Sequence, residues 1–132
     1  MVSKKLPIKL PRHALSNVEL VEIVKKLKIP YFRGVFMRNQ LPRKIRNYES
    51  GIINLDESSG NGTHWTGYVK HGKVIYYFDS IGNLSPPIEA KSYFKSDNRR
   101  NRILYNRQRY QKINTYNCGH LVLKFLYNWS HI

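Results

Sequence analysis

The stretch from His64 to Asp79 constrains the fold of this chain more than any other. It runs His64 to Lys70, then His71-Gly72, then Lys73 to Asp79, two runs rich in β-branched and aromatic residues about a glycine turn. Such a pattern specifies an antiparallel hairpin. A His71-Gly72 turn stacks Trp65 with Phe78, Gly67 with Tyr76 and Val69 with Val74 on one face. The other face pairs Thr66 with Tyr77 and Tyr68 with Ile75. At the open end this register sets His64 directly opposite Asp79. Opposed residues of an antiparallel pair have Cβ atoms ~5 Å apart, close enough for a carboxylate to hold an imidazole N–H.

On either side of the hairpin the signals are simpler. Ser16-Asn17-Val18-Glu19 matches a capping box, and Leu20, Val21, Ile23, Val24 and Leu27 follow at helical spacing until Pro30. Tyr31 to Met37 is a short aromatic segment around Gly34, Arg38 to Arg46 a basic loop, and Gly51 to Leu55 a buried strand. Asp56 to Thr63 reads as a mobile polar loop. After the hairpin come a turn at Asp79 to Asn83, a short helix over Ile88 to Phe94, a charged loop over Ser96 to Arg102 and a strand at Ile103 to Tyr105. The polar stretch Gln108 to Asn117 then gives way to an apolar helix from Gly119 to about Trp129. At 132 residues the chain is long enough for one domain, assigned to 15–132, behind a basic, proline-punctuated and flexible arm over 1–14.

The only cysteine, Cys118, stands where the polar stretch turns into that last helix. Unpaired backbone N–H groups and the positive end of the helix dipole favour thiolate there. Taken alone, Cys118 is as well explained as a small buried core residue. Its companions alter the balance. A cysteine nucleophile needs a base, the base needs an orienting partner, and the tetrahedral intermediate needs oxyanion donors. His64, Asp79, Gln111 and Cys118 supply these types. Gly119 removes side-chain bulk beside the Cys118 N–H. Each has a plainer reading: His64 as a surface histidine, Asp79 as a turn former, Gln111 as a solvated side chain with Gln108 as its competitor. His120 lies two positions along the helix from Cys118 and faces elsewhere, so it is the weaker base.

In these residues the chain resembles the adenovirus-type cysteine endopeptidases, distant relatives of the ubiquitin-like-protein-specific proteases. The resemblance begins at Ser16 to Leu20, Ile23 to Leu27 and Pro30 to Phe36, and continues through Gly51 to Asn54, His64-Trp65 and Tyr76 to Gly82. Gln111 and, after six residues, Cys118-Gly119 complete it, so that it spans roughly residues 16–127. It implies an α+β fold with a central, mostly antiparallel sheet packed against the helix carrying the nucleophile. Cys118 would be the nucleophile, His64 the base, Asp79 its orienter, and Gln111 with the Cys118 N–H the oxyanion hole, with Trp65 shielding the base. It also implies cleavage of viral polyprotein or capsid precursors, a virion or host-nuclear setting, and DNA as an activating polyanion. Activation by a disulfide-linked peptide is not carried over, because no second cysteine exists.

Charge bears on the partner independently. Lys and Arg number 23 against 8 Asp and Glu, a formal net charge of +15. Such an excess attracts polyanions, nucleic acid first. The candidate contacts are Arg38, Arg43, Lys44 and Arg46 in one cluster and Arg99, Arg100 and Arg102 in another. One cysteine allows no internal disulfide and argues against a zinc site, and Met1 to Lys5 lacks the apolar core of a signal peptide. A reducing, intracellular, monomeric protein without metal or membrane span is expected. Two other functions fit the same residues: removal of ubiquitin-like modifiers, and a non-catalytic nucleic-acid-binding or capsid-associated role.

Overall fold

The computed structural model describes residues 4–56, 64–111 and 116–130. They form three helices and five strands in the order α1 (Asn17–Leu27), β1 (Phe32–Met37), β2 (Tyr48–Asn54), β3 (Trp65–His71), β4 (Val74–Phe78), α2 (Ile88–Phe94), β5 (Arg102–Tyr105) and α3 (Cys118–Ser130). The polar loop expected at Asp56 to Thr63 lies, from residue 57 on, outside the described residues. No described helix is long and apolar enough to cross a membrane.

Local chemistry accounts for α1. The Ser16 hydroxyl accepts from the Glu19 N–H while the Glu19 carboxylate accepts from the Ser16 N–H, closing the capping box. Leu20, Ile23, Val24 and Leu27 form its buried stripe, and Lys28, in the left-handed region at φ 54°, ends it before Pro30.

The five strands lie side by side in chain order, β1-β2-β3-β4-β5. The two inner pairings are antiparallel and the two outer ones parallel, so the architecture is α+β with a mixed sheet, not the mostly antiparallel one expected. The reason is connectivity. The chain between β4 and β5 passes through α2, and a strand-helix-strand crossover returns the second strand parallel to the first. The segment 38–47 does the same for β1 and β2 without a helix. β1 itself, with intermediate burial throughout and Gly34 inside it, lacks the alternation that marks a strand in sequence.

The hairpin differs from its expected register by one turn position. Its closing pair is His71 with Val74, so the loop is Gly72-Lys73, and Gly67 opposes Phe78, Tyr68 opposes Tyr77 and Val69 opposes Tyr76. Gly72 takes φ 62°, which two-residue hairpin loops require at their first position. Moving the turn by one residue moves every pairing by two. Both faces therefore keep their expected side chains.

Each face carries its own core. Ile52, Trp65, Val69 and Phe78 pack with α1 and α3, whose Val122, Leu123, Phe125 and Leu126 are fully buried or nearly so. Ile53, Tyr68, Ile75 and Tyr77 pack with Ala90, Tyr93 and Phe94 of α2 and with Ile45 of the 38–47 segment. At Gly67 a Cβ would stand 2.7 Å from Cγ1 of Val122, so α3 approaches β3 closely only because that side chain is absent. Residues 4–14, expected as a flexible arm, lie along α3. Leu6, Ile8 and Leu10 pack against the first core, the Lys4 N–H donates to Asn128 Oδ1 at 3.0 Å, and His120 Nε2 meets the Pro11 carbonyl at 2.6 Å.

Candidate active site

Three element boundaries converge at one end of the sheet. His64 is the residue before β3, Asp79 the residue after β4, and Cys118 the first residue of α3. The Leu121 N–H donates to the Asn117 carbonyl, which makes Asn117 the cap and leaves Cys118 in the first turn, where the backbone N–H groups are unpaired and the helix dipole is positive.

His64 Nε2 and Asp79 Oδ1 are 2.8 Å apart. The two residues do not face each other across the ladder as expected. Continued by one step, the observed register sets Thr66 opposite Asp79, and His64 is its diagonal neighbour. A diagonal separation of ~7–8 Å is within reach of an imidazole. Asp79 is 1 % exposed and held from several sides. Its Oδ1 also accepts from the Ile81 N–H, its own N–H donates to Asn106 Oδ1 at 2.9 Å, and Asn106 Nδ2 donates to its carbonyl at 2.7 Å. Asn106, buried just beyond β5, thus clamps the backbone of the acid. Nothing in its local sequence marks it.

With Nε2 turned to Asp79, Nδ1 is the ring nitrogen left for Cys118, whose thiol lies near enough to the imidazole for each group to shift the other's titration. The Trp65 N–H also points at the sulfur, at 3.5 Å. Burial opposes charge on both groups and is outweighed on both. For His64, burial works downward, but the hydrogen bonds to Asp79 and Cys118 and their negative charges raise its pKa to about 9. For Cys118, burial works upward, but the His64 hydrogen bond, the Trp65 N–H, the imidazolium charge and the Gly119 N–H bring it below the usual thiol value. A thiolate–imidazolium pair is the state this geometry favours.

Gln111 is buried beside the acid. Its N–H donates to the Ser80 carbonyl at 3.0 Å, and its side-chain Oε1 accepts from the Ser80 hydroxyl. With Oε1 engaged there, the other end of the amide is its NH₂, the end an oxyanion would need. Gln108 is exposed, with its side-chain oxygen accepting from the Tyr110 hydroxyl at 3.5 Å. Gly119, expected to keep side-chain bulk away from the Cys118 N–H, also borders the core. A Cβ there would face Trp65 Cδ1 at 3.3 Å and Leu15 at 3.5 Å, so the missing side chain admits packing from within. Trp65 is likewise tied inward, donating through Nε1 to the Leu15 carbonyl at 2.9 Å. Among the described residues no group of three His, Cys, Asp or Glu could hold a metal.

The basic residues divide. Lys44, Arg46 and Arg99 come together with Arg33, which no sequence signal singled out, along a cleft of about 500 Å³ that also includes Asn47 and Asp97. Beneath it, buried Glu49 accepts from Arg33 Nη1 at 2.9 Å, from the Arg46 N–H at 3.1 Å and from the hydroxyls of Tyr68 and Tyr93. Fully buried Lys70 pairs with Asp97 at 2.9 Å. The one carboxylate lining the cleft is therefore already neutralised. Arg38 and Arg43 line a neighbouring hollow, where Arg38 stands 3.5 Å from Glu89. Arg100 and Arg102 are exposed and line neither.

A scan of the chain against protein-family models finds no match, and a search of curated proteins finds none either.

Proposed function

We propose that this chain is a cysteine endopeptidase of the adenovirus type, acting on viral precursor proteins. The observation that carries the reading is His64 placed between buried Asp79, at 2.8 Å, and the thiol of Cys118 at the start of α3. In the reaction the Cys118 thiolate attacks a peptide carbonyl carbon. The resulting oxyanion takes hydrogen bonds from the Cys118 N–H and the Gln111 NH₂. The His64 imidazolium gives its proton to the leaving amine as the C–N bond breaks, leaving a thioester on Cys118. His64, now neutral, takes a proton from water, which hydrolyses the thioester and restores the pair. Asp79 holds the imidazole in one orientation throughout.

Labelling by an electrophilic peptide tests this reading. Cys118 in the folded protein reacts far faster than free cysteine, and His64→Ala abolishes the advantage. A rate equal to that of free cysteine sinks the proposal. Cleavage profiling then separates precursor peptides from ubiquitin-like modifiers, the other substrates this chemistry serves.

A second reading concerns the cleft. Lys44, Arg46 and Arg99 arrive from two sequence clusters and meet Arg33 over a neutralised floor, which favours a polyanion held through its phosphates. Nucleic acid is the polyanion we assign to it.

A further inference from the structure

At the far end of β3 and α3 from Cys118, the protein exposes aromatic rings where burial would be expected. Tyr31 is 66 % exposed and Tyr48 50 %, and His71 is exposed beside them. Their ring centroids follow one another at 5.8 Å from Tyr31 to Tyr48 and 6.0 Å from Tyr48 to His71, and Trp129 continues the row at 6.4 Å. Backbone structure fixes the order. Tyr48 and His71 are directly paired across β2 and β3, and Trp129 stacks on Tyr76 at 4.2 Å. Tyr31 sits in the left-handed region at φ 57°, a conformation costing a non-glycine residue on the order of 1 kcal/mol. Ser50 holds it there, donating its N–H to the Tyr31 carbonyl and its hydroxyl to the Pro30 carbonyl.

This row adjoins the basic cleft. Asn47 lines the cleft, receives a hydrogen bond from Arg99 Nη1 at 2.8 Å and precedes Tyr48 directly. Its carbonyl accepts from the N–H of Gly72, in the turn that follows His71. Rings and cations thus flank one rim of the sheet from its two sides, the rings on the α3 face and the cations on the α2 face, so that a strand crossing the rim would meet both, roughly 20 Å from Cys118 by the length of β3.

We infer that this rim binds unpaired nucleic acid, with bases stacked on Tyr31, Tyr48 and His71 and phosphates against Lys44, Arg46 and Arg99. The inference rests on the polyanion reading of the cleft and adds the strand's state to it. Cations alone attract a duplex and a single strand alike. Exposed rings discriminate, because only an unpaired base offers a free face to stack on, and such stacking tolerates any sequence. A duplex would leave the rings uncovered.

Fluorescence anisotropy tests it with labelled oligothymidine, oligouridine and a mixed-sequence duplex of equal phosphate count. Either single strand binds more tightly than the duplex. Tyr48→Ala and Tyr31→Ala each weaken single-strand binding roughly tenfold and leave duplex binding unchanged, while Tyr48→Phe keeps the wild-type affinity. Equal affinity for duplex and single strand, or no loss in either alanine variant, overturns the inference while leaving the cleft as a polyanion site. No binding of any strand overturns both.

Discussion

The Cys118 sulfur is acted on by the His64 imidazole, the Trp65 N–H and the Gly119 N–H, and each stabilises charge on it. The consequence for pH is specific. His64 is raised to about 9 in the folded chain from an ordinary value near 6.5. Its contribution to stability is complete below 6.5 and is lost as pH rises through 9. Cys118 is lowered from an ordinary value near 9.0, so its contribution is complete above 9 and is lost as pH falls through its folded value. From the lowered Cys118 value up to about pH 9 the folded pair holds one proton, on His64, and above pH 6.5 the unfolded pair also holds one, on Cys118. The pair therefore adds no slope to stability across that window. Cys118→Ala removes the compensation but keeps Asp79 beside His64. Its unfolding free energy is expected to fall, relative to wild type, as pH rises above both 6.5 and the lowered Cys118 value, by up to about 1.4 kcal/mol per pH unit. Urea unfolding at a series of pH values checks this, and parallel curves for the two proteins would contradict it. Asp79→Asn has a different signature. Loss of the carboxylate charge lowers the His64 pKa, so the alkaline limb of kcat/KM moves below pH 9 in a peptide-cleavage profile.

Cys118 and His64 belong to different elements, so their meeting depends on how closely α3 lies on β3. Gly67 sets that distance. Gly67→Ala forces a Cβ against Val122 and is expected to cost about 1–3 kcal/mol in urea unfolding. Cys118 labelling should slow in the same variant, since α3 must withdraw from the strand that follows His64. The N-terminal segment acts on the same pair from the other side, through Leu15 against Gly119 and Trp65 and through Pro11 to His120. Trp65→Phe keeps the ring but orphans the buried Leu15 carbonyl, an expected loss of about 1–3 kcal/mol measured in the same way. Much of this frame was legible in sequence, for identifiable reasons. The capping box at Ser16 and the helix over Ile88 to Phe94 are local signals, and they stand where they were read. The hairpin faces survived a misplaced turn because side chains alternate with period two. His64, Asp79 and Cys118 could be picked out because each ends or begins an element. Other features carried no local mark. The parallel outer pairs follow from crossovers, which depend on where a returning strand finds space. Asn106, Leu15 and His120 act across long sequence separations through contacts that no spacing rule encodes. Gly119 was read for its freedom toward substrate, and its packing against Trp65 and Leu15 is a further feature that its local sequence does not mark.

On the scale of the whole molecule, the charge of +15 is arranged against a gradient of chemistry. One end of the sheet gathers the thiol, imidazole and carboxylate. The other gathers cations and open rings, at the opposite termini of β3 and α3. Both ends hang on the same central strand: His64 precedes β3, while Tyr68 and Lys70 within it hold Glu49 and Asp97 beneath the cleft. Most of the excess charge, however, is spread over exposed positions such as Arg100 and Arg102, and a diffuse field would bind polyanions whichever residues were removed. Salt dependence distinguishes a site from a field. A phosphate contact releases condensed counterions, so log K falls against log salt with a slope of roughly −0.9 per contact on duplex and −0.7 on a single strand. If the cleft is the site, Lys44→Gln, Arg46→Gln and Arg99→Gln together should flatten the slope by between about 2 and 3 and weaken binding most at low salt. Arg100→Gln with Arg102→Gln, which removes two exposed charges outside the cleft, should leave the slope nearly unchanged. Equal flattening per charge in both variants would assign binding to the field alone. Glu49→Gln offers a control on architecture, because it leaves the cations in place while loosening Arg33, Tyr68 and Tyr93 from their common anchor. A reduced affinity with an unchanged slope in that variant is the expected sign that the cleft's shape, as well as its charge, holds the ligand.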